Sequence, residues 1–178
     1  MDLIYLGISG VLHPSWSFYA YVHGHAPEVD GHSKYQSVSD LVEVLKGWPD
    51  AAIMLTSTQP WSKGLPEVLT HLGDLAPRVL GYTFQDLTEK APVGRRGRPL
   101  WAEDYWRLSK SQIVDLHVRW FRPARWIVID DDDIRWPYDV ANDRLVLTSG
   151  CSGLSCPAAI DRLRTVLHHN FGQAQRSG

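Results

Sequence analysis

Four short stretches of this chain carry side chains able to do chemistry, each where the backbone would leave a strand or enter a helix. The first is Leu3-Ile4-Tyr5-Leu6-Gly7-Ile8-Ser9-Gly10-Val11-Leu12-His13-Pro14, an apolar run broken by small residues. Such a turn lets a ligand approach the backbone closely. The second is Thr56-Ser57, the third Lys110, and the fourth the run Asp130 to Asp133. Adjacent carboxylates repel one another. Beside the apolar Trp126-Ile127-Val128-Ile129 they invite a hard cation with oxygen ligands, such as Mg²⁺.

Each stretch also has a plain structural reading. Thr56 and Ser57 suit the cap of a following helix, which for such residues taken alone is the first expectation. Lys110 suits a solvated first turn, although a cation near a helix N-terminus is mildly unfavourable and calls for a reason. The aspartates suit a solvated loop, or Asp132 or Asp133 a cap.

The elements between them decide whether the four can meet. Strands are expected near residues 2–8, 51–56, 78–82, 124–130 and 143–148. Apolar spacing predicts helices over Val38–Trp48, stopped by Pro49 with Ser39-Asp40 as a candidate cap. Further helices are expected from Pro60 to about His71, from Lys110 to about Phe121 behind a Ser109 cap, and from about Pro157 to His169. Ser15–Tyr35 has no clear period and reads as a long loop or flap. Thr83–Leu108 reads as irregular. Strands alternating with helices imply βαβ units: an α/β fold, a five-stranded mostly parallel sheet with helices on both faces and a small flap or cap insertion. In such a sheet the strand carboxyl ends and the following helix starts share one rim, where ligands bind.

Composition narrows the rest. At 178 residues the chain reads as one domain over 1–172 with a flexible tail over 173–178. A net charge of −2 gives no general pull toward nucleic acid or anionic membrane. Cys151 and Cys156 form neither a disulfide framework nor a CxxC pair, which fits reduced thiols in a cytoplasmic protein. No leader and no membrane span is expected. Four histidines, at 13, 23, 25 and 32, lie near Glu28 and Asp30. Their spacing matches no standard metal-ligand pattern.

The first stretch resembles the first motif of the haloacid dehalogenase-like (HAD) phosphohydrolases, hydrophobic-Asp-x-Asp-Gly-Val/Thr-Leu. The nearest resemblance is to the HAD domain of Swiss Army Knife RNA repair proteins, whose motif also runs on into His-Pro. Gly7 stands where that motif has its nucleophilic Asp, and Ser9 where it has its acid/base Asp. The order small turn, Thr/Ser, Lys, Asp-Asp follows the family's four motifs across about residues 1–167. The resemblance implies a Rossmann-like fold with the first strand central, flanked by the second and fourth. It further implies that Thr56, with Ser57 beside it, hydrogen-bonds phosphoryl oxygens and that Lys110 neutralises phosphate charge. Asp130, Asp131 and the Ser9 backbone carbonyl would bind Mg²⁺. Arg95, Arg96 and Arg98 read either as a solvated loop or as a basic rim meeting a polyanion such as an RNA end.

Gly7 has no side chain, and Ser9 is a poor acid or base at neutral pH. Losing a nucleophile and its proton shuttle removes most catalysis. The expected function is a HAD-like domain without the standard aspartyl-phosphate route that keeps a cleft for a phosphorylated small molecule or a nucleic-acid end, its Mg²⁺ binding weakened. Two alternatives stand beside it. One is an active Mg²⁺-dependent phosphohydrolase whose water nucleophile is held by Thr56, His13 or the aspartates. The other is a structural or interaction protein with a protein partner.

Overall fold

The computed structural model describes residues 1–83 and 108–173. The strands are β1 (Asp2–Leu6), β2 (Ala52–Leu55), β3 (Val79–Tyr82), β4 (Arg125–Asp130) and β5 (Leu145–Leu147). They form one parallel sheet in the order β3-β2-β1-β4-β5. The first strand is central and lies between the second and fourth, as the resemblance implied. Its register pairs Ile4 with Ile53 on one side and with Ile127 on the other.

A parallel strand covered on both faces reads as a continuous apolar run rather than an alternating one. That is why Leu3–Leu6 and Ile127–Ile129 contain no polar residue except the phenol of Tyr5. Their side chains divide by parity. Ile4, Leu6, Ile53, Leu55, Ile127 and Ile129 pack on one face. That face is covered by α2 (Val38–Leu45), α4 (Leu65–Leu72) and α7 (Pro157–Phe171). Leu3, Tyr5, Met54 and Val128 pack on the other, against Val114, Val118 and Phe121 of α5 (Lys110–Phe121). There the Tyr5 hydroxyl meets His117 Nδ1 at 2.8 Å, both side chains being buried.

Three expectations are corrected. Ser15–Tyr35 is not simply a loop: it holds α1 (Trp16–His23) and a 3₁₀ turn over Pro27–Asp30. Only Tyr19 of α1 is buried, so no apolar stripe marks it as helical. The helix expected from Pro60 to His71 is two, α3 (Gln59–Lys63) and α4, because Gly64 adopts φ 91° and breaks the ladder. A short helix, α6 (Tyr138–Asp143), precedes β5 and buries only Val140. Ser37, rather than Ser39 or Asp40, occupies the N-cap of α2. Of Thr83–Leu108, only the two end residues lie within the described residues.

Candidate functional site

The β1 ladder continues one residue beyond the strand, where the Gly7 N–H donates to the Ile129 carbonyl at 2.9 Å. The chain then turns tightly: Leu12 N–H donates to Ile8 O at 2.8 Å and Gly10 N–H to His13 O at 2.8 Å. Gly10 has φ 75°, and a Cβ there would lie 1.9 Å from Asp131 Oδ2. Glycine is required at that point on both counts. Gly7 differs, since its backbone is ordinary. A Cβ on it would meet Asp130 Oδ2 at 2.8 Å and Val11 Cγ2 at 2.9 Å. The carboxylate of β4 therefore stands where a side chain at position 7 would begin.

Asp130 is 1% exposed and fully engaged. Its Oδ2 accepts a hydrogen bond from Thr56 Oγ1 at 3.1 Å and lies 3.5 Å from Lys110 Nζ. Its Oδ1 accepts from the Asp132 N–H at 3.2 Å. Lys110 Nζ also donates to the Thr56 carbonyl at 3.0 Å. The lysine is set in place by a complete capping box, in which Ser109 and Gln112 exchange side-chain and backbone hydrogen bonds. Thr56, Lys110 and Asp130 thus converge from β2, α5 and β4 on the carboxyl end of β1.

Above them opens a cavity of about 200 Å³ lined by Gly7, Ser9, Ser57, Lys110 and Asp131, all singled out from the sequence, with Ile8, Ser15 and Thr58. Ser15 and Thr58 escaped sequence reasoning, although each adjoins a recognised stretch. Thr56 is wholly buried below the cavity, so the hydroxyls that line it on this side are those of Ser57 and Thr58. Ser57 Oγ accepts from the Gln59 N–H at 3.2 Å in the turn before α3, which leaves its own proton to donate; the N-cap of that helix is Thr58, not Thr56 or Ser57, and it makes no side-chain cap bond. Asp131 is pushed up to about 6, first by burial and then by the neighbouring Asp130, while Lys110 pulls the other way. Asp132 builds the turn that follows, its Oδ1 accepting from the Ile134 N–H at 2.8 Å.

His13 is 4% exposed, and its Nδ1 accepts from the Tyr35 N–H at 3.1 Å. Its ring meets those of Trp16 and Tyr35 edge to face. Burial, then Lys34 and Lys63, pull it down to about 4. It ties the flap to the β1 turn as a neutral imidazole. Within the flap, the Tyr19 hydroxyl donates to Asp30 and His23 stacks on Tyr19 at 4.2 Å. Among the described residues no group of three or more His, Cys, Asp or Glu is placed to hold a metal ion. Arg95, Arg96 and Arg98 lie outside the described residues.

Mg²⁺ demands a nearly octahedral set of oxygens. Here one oxygen of Asp130 is held by Thr56 and Lys110 and the other by a backbone amide. Of the expected ligand set, Asp131 and Ser9 line the cavity. An ammonium 3.5 Å from Asp130 already occupies the position of a counter-charge. As they stand, these residues do not fit a resident Mg²⁺.

Residues 3–159 match the HAD domain in Swiss Army Knife RNA repair proteins. The chain belongs to that family. The sheet order and the four converging strand and helix ends are those of a HAD-like, Rossmann-like fold, and the family is one of HAD-like phosphohydrolases, which generally use Mg²⁺. No curated protein and no solved structure matches the chain. Among the described residues no helix is long and apolar enough to cross a membrane.

Proposed function

We propose that this HAD-like domain no longer works through an aspartyl-phosphate and instead uses its cleft to bind a phosphate group, carried by a small molecule or a nucleic-acid end. The observation that carries the reading is the state of the β1 end. Gly7 offers no nucleophile, and the space beside it is filled by Asp130. Covalent phosphoryl transfer needs an oxygen nucleophile in line with the phosphorus and an acid to protonate the leaving group. Asp130 cannot replace the first while it is buried against Thr56 and Lys110, and Ser9 cannot replace the second. What stays is a recognition set: the Lys110 ammonium and the Ser57 and Thr58 hydroxyls around one cavity. Arg95, Arg96 and Arg98, close together in the sequence, would suit a polyanion such as an RNA end. Cys151 and Cys156, both free, support a reducing, cytoplasmic location.

Hydrolysis by an activated water is the weaker reading. His13, its natural base, has Nδ1 committed to Tyr35 and does not line the cavity. The test has two arms. Phosphate release from aryl phosphates with Mg²⁺ should stay near background for the unmodified protein. Fluorescence anisotropy should show short RNAs with a terminal phosphate binding at least about tenfold more tightly than the same RNAs with hydroxyl ends, a difference of about 1.4 kcal/mol. Robust turnover that is lost on changing Thr56 or His13 would overturn the reading. Equal affinity for phosphate and hydroxyl ends, together with no binding of small phosphates, would favour an interaction protein.

A further inference from the structure

We infer that the cleft takes its phosphate group without a divalent cation, with Lys110 as the resident positive charge. The inference rests on the reading above and concerns the charge that such a site uses.

Three observations carry it. Lys110 is fixed before any ligand arrives: Ser109 and Gln112 cap its helix, and its Nζ donates to the Thr56 carbonyl at 3.0 Å. An ammonium has three donors. One is used on Thr56 and one faces Asp130, which leaves a third for a ligand oxygen at a residue that lines the cavity. The second observation is the engagement of Asp130. Asp130 is buried and does not line the cavity, so a metal held there could reach this carboxylate only if it swung out of its place beside Thr56, the Asp132 amide and the ammonium, and the ammonium would itself repel the incoming dication.

The third is charge balance. Compared with the Asp-x-Asp motif it resembles, the chain lacks two carboxylates at positions 7 and 9. Two negative charges removed offset one Mg²⁺ removed. The metal-free cleft therefore meets an incoming phosphate with the same formal charge as a cleft holding both aspartates and the ion. Ser57 and Thr58 add neutral donors, which orient a phosphate without altering that balance.

Calorimetric titration of the intact protein with inorganic phosphate tests this. In EDTA and in excess Mg²⁺ the dissociation constants should agree within about twofold. Lys110→Met should weaken binding at least about tenfold, and Lys110→Arg should keep most of it. Binding at least about tenfold tighter in Mg²⁺ than in EDTA would overturn the metal-free site while leaving the phosphate cleft standing. Binding in neither condition would overturn both. The comparison of EDTA with Mg²⁺ uses the unmodified chain and does not depend on whether Lys110→Met folds. Full affinity in a folded Lys110→Met protein would also overturn the inference.

Discussion

The carboxyl ends of β1 and β4 lie side by side and have opposite characters. β1 runs out through Gly7-Ile8-Ser9-Gly10 without a charge, while β4 runs out through four consecutive carboxylates. Each end explains the other. Gly7 leaves a space, and Asp130 occupies it. Gly10 leaves a second, and Asp131 lies against it, so close that no side chain fits at position 10. Space given up by one strand end is taken up by its neighbour because close-packed interiors do not keep voids. The loss of a side chain at position 7 is therefore felt at Asp130 as well, whose residue type matches the motif.

The largest expected effect breaks the pairing from the lysine side. Lys110→Met leaves Asp130 buried without its cation and should cost about 3 kcal/mol, read by urea unfolding. Adding Asp130→Asn should return most of that loss, because the stranded charge is the main penalty. A Lys110→Met protein as stable as the parent would show that the pair is incidental. Next, Gly7→Asp pushes a side chain into occupied space and should cost about 2 kcal/mol. The cost should shrink when Asp130→Ala clears that space. Gly7→Asp with Ser9→Asp should leave phosphate release near background, because Asp130 stands where the new side chain at position 7 must begin. Activity in the simple double variant would mean that Asp130 moves aside readily.

The two strand ends should also respond oppositely to acid. His13 has a folded value of about 4, below its ordinary 6.5. The stability it permits is complete above pH 6.5 and is lost as pH falls toward 4. His117, also lowered to about 4 by burial, acts in the same direction. Asp131, raised from 3.8 to about 6, does the reverse: its contribution is complete below 3.8 and is lost as pH rises through 6. Over this range the two histidines together outweigh the single aspartate. Melting temperature should therefore fall between pH 6.5 and 4, and His13→Phe should make that slope shallower. An unchanged slope would place the acid sensitivity elsewhere. The smallest effect is Asp131→Asn, which should stabilise the protein at pH 7.5 by about 1 kcal/mol and leave it unchanged near pH 4. A loss of stability at both values would mean that the carboxylate is held favourably.

Much of the fold was legible because its strands are short apolar runs ended by small or charged residues, and because α5 begins with a capping box that the Ser109–Gln112 spacing announces. The convergence of Thr56, Lys110 and Asp130 followed from the rule for strand ends in parallel sheets. What sequence could not supply was side-chain direction. Thr56 reads as a residue that faces a ligand, yet its hydroxyl donates to Asp130 below the cavity. Ser57, the adjacent candidate, lines the cavity instead. α1 escaped because Trp16, Phe18, Tyr19, Tyr21 and Val22 leave no polar face against which to see a stripe. The Gly64 break depends on a positive φ, and glycine permits that conformation without requiring it.

The flap leaves and rejoins the body of the protein within a few residues of one turn. Ser15 N–H donates to Gly150 O at 2.8 Å on departure. On return, Tyr35 N–H reaches His13 Nδ1 and Ser37 N–H reaches Leu12 O at 3.0 Å. An excursion pinned so closely at both ends behaves as a closed loop, and lengthening such a loop twofold costs only about 0.6 kcal/mol of chain entropy. Residues 16–34 therefore form a cassette: a longer, shorter or chemically different insert between the same two anchors would leave the strand register untouched. The scaffold can thus exchange what stands beside the mouth of the cleft independently of the sheet that builds its floor.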